Sequence, residues 1–118
     1  MKKILLTLSV LITSASIFGI QRSQALRNAN NALMPNNSQL IFKGWAPGQR
    51  IVHEISPLDT ARTKIQAIRV IHNITNKAIE RVELVTTMQE MLVYDLADLN
   101  SSQDGRNLIS RIKNIQRQ

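Results

Sequence analysis

The sequence predicts a mainly α protein, and three observations carry that expectation. No Pro or Gly interrupts the chain from Leu58 to Leu99. The tetrapeptide Ser56-Pro57-Leu58-Asp59 in front of that stretch reads as a helix start, with Ser as cap, Pro at the first helical position and Asp closing a capping box. Within the stretch, apolar residues recur at about 100° per residue. The expected order is an N-terminal signal peptide, an extended arm with a candidate β-hairpin, one long amphipathic helix and a short C-terminal helix. In residue numbers this divides the chain into 1–25 (signal peptide, removed), 26–56 (arm with short strands) and 57–118 (helical domain).

The signal reading begins with Lys2 and Lys3, which precede an uncharged and mostly apolar run from Ile4 to Ile20. Ser23 and Ala25 are small residues spaced for a signal-peptidase cut, which makes Leu26 the expected mature N-terminus. Weaker cuts fall after Ala15 and after Gly19. The alternative is an uncleaved inner-membrane anchor over residues 4–20, disfavoured because Thr7, Ser9, Thr13, Ser14, Ser16 and Gly19 dilute a run already shorter than the ~20 residues a span wants. The expected location is therefore the bacterial periplasm or the exterior, and the membrane is a partner only if the signal stays uncleaved. The chain has no Cys, so a lipid anchor, a disulfide framework, a thiolate metal site and a Cys nucleophile are all excluded.

Residues 26–38 are rich in Asn and lack sustained periodicity, as an extended arm would be. Two runs with strand character follow, Gln39 to Lys43 and Arg50 to Ile55, and Pro47-Gly48 between them fits the centre of a type II turn. Trp45, the sole tryptophan, lies in this turn region. It is either a surface anchor for a partner or an aromatic packed over the core edge.

The long helix is expected over about residues 57–99. Leu58, Ala61, Ile65 and Ile68 fall on one face, while Ile71, Ile74, Ala78, Val82, Val85, Met88, Leu92, Leu96 and Leu99 form a continuous stripe on the other. Such a helix would be about 65 Å long, far larger than the ~12 Å radius of gyration of a compact domain of this size. The stripe therefore reads as an interface, in a coiled coil of copies or against a protein partner. A break near Asn73 to Asn76 is the competing arrangement. After the turn residues Ser101 to Gly105, the positions Leu108, Ile112 and Ile115 predict a second helix over about 104–116 that folds back on the first.

Removing Lys2, Lys3 and Arg22 with the signal lowers the net charge from +7 to +4. Basic residues cluster between Arg62 and Arg81, making Arg62, Lys64, Arg69, Lys77 and Arg81 candidate contacts for an anionic polymer. Nucleic acid is not an expected partner, because aromatics are few and no recognised RNA- or DNA-binding pattern accompanies the basic residues. His53 and His72 have no partner at metal-ligand spacing, and no phosphate loop, dinucleotide fingerprint or nucleophile motif occurs. No cofactor, metal or enzymatic activity is expected. The function expected from these features is a small exported envelope protein acting as a structural or adaptor subunit, with a secretion-machine component as the specific candidate. The alternative is a secreted cationic effector or antagonist that binds anionic envelope polymers.

Overall fold

The computed structural model describes residues 21–33 and 39–117. The apolar run Ile4 to Ile20, and with it the signal or anchor expectation, lies outside the described residues. The chain forms α1 (Arg22–Ala32), β1 (Ile41–Ala46), β2 (Arg50–Ile55), α2 (Thr60–Thr63), β3 (Ile65–Asn73), β4 (Ile79–Thr86), β5 (Met91–Asp95), α3 (Leu96–Asn100) and α4 (Gln103–Gln116). The five strands make one antiparallel sheet in sequence order, β1-β2-β3-β4-β5, a meander in which each strand pairs with the next.

The mainly α expectation is thus overturned: the residues assigned to one long helix form three strands, two turns and short helices. The helix start expected from Ser56 as cap and Pro57 as first helical residue is also displaced, because the helix begins only at Thr60 and its cap is Asp59. Asp59 caps α2 by accepting from the Arg62 backbone N–H at 3.2 Å, and Lys64 then turns the chain into the left-handed region at φ 63°, which stops the helix after four residues. From Ile65 onward the β-branched residues Ile65, Ile68, Val70, Ile71, Ile79, Val82 and Val85 prefer the pleated surface of a strand, where their stiff χ1 is no handicap. Asn73 supplies the turn that the helical reading passed over. Its Oδ1 accepts from the backbone N–H of Thr75 at 2.8 Å and of Asn76 at 3.2 Å, and Asn76 Oδ1 accepts from Ala78 N–H at 2.9 Å.

The stripe consequently does not exist as a single surface. Val82 and Leu99 are fully buried in the core. Ile71 and Val85 lie on the other side of the sheet, Ile74 and Ala78 sit in the β3–β4 turn, and Met88 sits exposed in the β4–β5 turn. Leu92 points to the core from β5, and Leu96 opens α3 with 43% of its surface exposed. With the stripe gone, residues 71–99 offer neither a coiled coil nor an amphipathic-helix interface.

The first helix crosses the expected boundary between signal and arm. Ala25, Leu26, Ala29 and Ala32 fall on one side of α1 and are buried, because that side lies on the sheet and on α4. Asn30 is buried in the same interface and is fully satisfied there: its amide donates to the carbonyls of Leu26 at 3.1 Å and Asp104 at 2.9 Å, and its oxygen accepts from Arg111 Nε at 3.2 Å. The C-terminal end is closed by caps. Asp95 and Asp98 form a reciprocal capping box on α3, and Ser102 Oγ accepts from Gly105 N–H at 3.0 Å to cap α4.

The register divides the sheet into two faces. Ile55, Ile68 and Leu84 stand in one cross-strand row ending at Leu92, and with Val70, Val82 and Tyr94 they make the floor on which α1 and α4 rest. The opposite face carries a row of charges, Glu54, Arg69 and Glu83, in which Arg69 meets Glu54 at 3.2 Å, Lys43 meets Glu54 at 3.5 Å and Arg81 meets Glu83 at 3.1 Å. Among the described residues no helix is long and apolar enough to cross a membrane.

Candidate functional site

The helices do not reach the β1–β2 end of the face they cover, and the side chains left open there form the candidate site. A register shift between Phe42 and Gly44, with Gly44 at φ 151°, turns two residues three apart in sequence to the same side of the sheet. Phe42 pairs with His53 and Trp45 with Ile51, which places both aromatics on the helix side rather than on the charged side. They remain 51% and 68% exposed and touch edge to face, with ring centroids 5.4 Å apart. Of the two readings of Trp45, the surface position is the one observed.

Behind them runs a groove of about 580 Å³, bounded by Gln39 and Leu40 ahead of β1, Ile51 and His53 on β2, His72 and Asn73 at the end of β3, Lys77 in the turn, and Ile115 and Gln116 at the end of α4. The two histidines are diagonal neighbours across β2 and β3, with rings 5.0 Å apart at 81°, and Phe42 stands against His53 at 6.0 Å. Thus an aromatic file runs from Trp45 through Phe42 and His53 to His72. Gln116 Nε2 lies 2.9 Å from His72 Nδ1. This contact ties the His72 ring to the end of α4. His72 Nε2 and His53 Nδ1 are buried without a hydrogen-bond partner among the described residues, a cost of about 1–3 kcal/mol each unless a ligand or water satisfies them.

Burial lowers the pKa of both rings below the usual 6.5, and in His72 the neighbouring His53 adds to the effect. Below about pH 6.5 the unfolded chain takes up protons that the folded chain refuses, so stability is complete above that pH and falls progressively beneath it. A thermal melt should therefore show a lower Tm at about pH 5.5 than at about pH 7.5, and His72→Gln should flatten the difference. An unchanged slope in that variant would show that the buried ring does not govern it. Asp59, held below its usual 3.8 chiefly by the Arg62 side chain, acts only in a more acidic window.

As metal ligands the two histidines stand alone, since no group of three or more His, Cys, Asp or Glu occurs together among the described residues. The five candidate anion contacts are dispersed. Arg62 is paired with Asp59 at 2.9 Å, Arg69 with Glu54 and Arg81 with Glu83. Lys64 lies at the far end of β3 from Lys77, and only Lys77 borders the groove. Of the candidate residues in the sequence, the fold thus brings Trp45 and Lys77 to one site and joins them to Phe42, His53 and His72. The histidine pair was missed because 19 positions separate its members, and only the β2–β3 register, with Ile51 opposite His72, makes them neighbours. No protein-family model, curated protein or solved structure matches this chain.

Proposed function

We propose that this chain is a small exported envelope protein that acts as an adaptor subunit by gripping a partner protein in the groove at the β1–β2 end of its sheet. The observation that carries the reading is the exposure of Trp45 and Phe42 on a face that is otherwise sealed by helices. Exposed aromatics at the rim of a concave apolar surface are the usual anchors of recognition sites. The occupant is a partner segment with an apolar side chain beside a carboxylate. Leu40, Ile51 and Ile115 supply the apolar lining, Lys77 supplies positive charge, and the buried Nε2 of His72 supplies a polar contact. Among the described residues no carboxylate lines the groove. Export rests on the Lys2-Lys3 start and the apolar run behind it, with the periplasm or the exterior as destination.

Trp45 is the only tryptophan and stands opposite the groove residue Ile51 in the β1–β2 register, so its emission serves as the reporter of occupancy. Short acetylated peptides pairing Phe with Asp should shift or quench it saturably, with Phe-Lys counterparts roughly 3-fold to 10-fold weaker, about 1 kcal/mol of charge preference. Lys77→Glu should reverse the order. A response indifferent to peptide charge, or none, would overturn the groove as the recognition site.

A further inference from the structure

The bond between Ala25 and Leu26, the cut that small residues at Ser23 and Ala25 mark best, lies inside the folded domain. Ala25 is fully buried and Leu26 is 5% exposed, both in the core cluster under α1. The residues in front of the bond are tied to the β5 edge of the sheet. Tyr94, 2% exposed, donates its hydroxyl to the carbonyl of Arg22 at 2.6 Å. The Arg22 guanidinium lies over the Tyr94 ring at 4.3 Å, donates to the Val93 carbonyl at 2.8 Å and reaches Asp98 at 3.4 Å.

A cut after Ala25 would remove all of these contacts at once. The buried Tyr94 hydroxyl would lose its acceptor, and a new α-ammonium would be placed on a buried residue. Helix α1 would keep only Leu26 to Ala32 of its eleven residues. Nothing in a removable leader requires such attachment, whereas a domain that begins with α1 does.

We infer that the mature protein retains Gln21 to Ala25, so that any export cut falls before Gln21 and the folded domain starts within a residue or two of the apolar run. This rests on the export reading above. It also fixes an orientation: the chain enters the domain at the β5–α3 side, where Arg22 is held, whereas the aromatic groove lies at the opposite, β1–β2 end of the sheet. Four strand spacings, about 19 Å, separate the two edges.

The test is to express the full chain in a bacterium, fractionate the cells and measure the intact mass of the accumulated protein beside that of Ser23→Arg. Ser23 is exposed on α1, and a large cation at that position blocks a cut after Ala25 without entering the core. The expected result is an N-terminus at or before Gln21, and the same N-terminus in the variant. Full-length protein in the membrane fraction and a soluble species beginning at Ser16 or Ile20 both meet that expectation, the first as a retained anchor and the second as a released domain. A species beginning at Leu26, or a shift to uncut precursor in Ser23→Arg, overturns the inference. Full-length protein in the cytoplasmic fraction would instead overturn the export reading itself.

Discussion

Gly105→Ala should leave this chain unable to hold its native core. Gly105 is buried in the first turn of α4, where its N–H is already taken by the Ser102 cap. A Cβ at that position would run into the backbone carbonyl oxygen of Leu99, with the carbonyl carbon at 2.7 Å and Cα at 2.8 Å. These are backbone atoms, so no rotamer change relieves the clash. Either α4 lifts from α3 or Leu99, a fully buried residue, leaves its place. The cost should be at least about 3 kcal/mol, against a total stability of roughly 5–15 kcal/mol. In a thermal melt this is a fall in Tm of about 15 °C or more. Ser110→Ala, exposed on the same helix, should stay within about 0.5 kcal/mol of the parent. If Gly105→Ala melts with the parent protein, the close approach of α3 and α4 is wrong.

Ile68→Ala should be nearly as damaging for a different reason. Ile68 has no exposed surface, and it stands between Ile55 and Leu84 in the central row of the sheet, beneath the helices. Truncation there removes three methyl or methylene carbons and leaves a cavity that stiff β-branched neighbours fill poorly. The expected loss is about 2–5 kcal/mol, read as a lower urea midpoint with an unchanged slope. Met91→Ala, half exposed on the edge strand β5, should cost less than about 1 kcal/mol. Equal midpoints for the two variants would show that Ile68 is not in the core.

What the sequence disclosed, and where it misled, follows from periodicity. The C-terminal helix was legible because Leu108, Ile112 and Ile115 repeat at helical spacing behind a Ser cap and a turn, and nothing about them suits a strand. The hairpin around Pro47-Gly48 was legible from its turn, although β1 begins at Ile41 and carries a bulge that no residue pattern announces. The region from Ile65 to Thr86 was misread because its apolar residues are dense enough to satisfy a helical repeat and a strand alternation together. Bulges between Ile65 and Ala67, and between Ile71 and His72, break the alternation and disguise it further. Composition was the better guide there, since β-branched residues dominate and Asn73 to Ala78 has turn chemistry. The reading of α1 failed for another reason. Its Ala and Asn residues carry little hydrophobic signal, and the helix is stabilised by α4, more than seventy residues away. The aromatic groove depends on strand register and was legible only as the isolated residue Trp45.

The contact between the first and last helices also constrains when this protein folds. The β-meander is built from neighbouring strands and needs only short-range contacts. Yet α1 rests on α4 through Asn30 to Asp104, Asn30 to Arg111 and the ion pair of Arg27 with Asp104 at 3.8 Å. A chain that is threaded through a narrow translocation channel with its amino end leading delivers α1 first and its docking partner last. The core is therefore incomplete until the final helix is present, so a chain delivered in that order would complete its fold only after α4 has emerged.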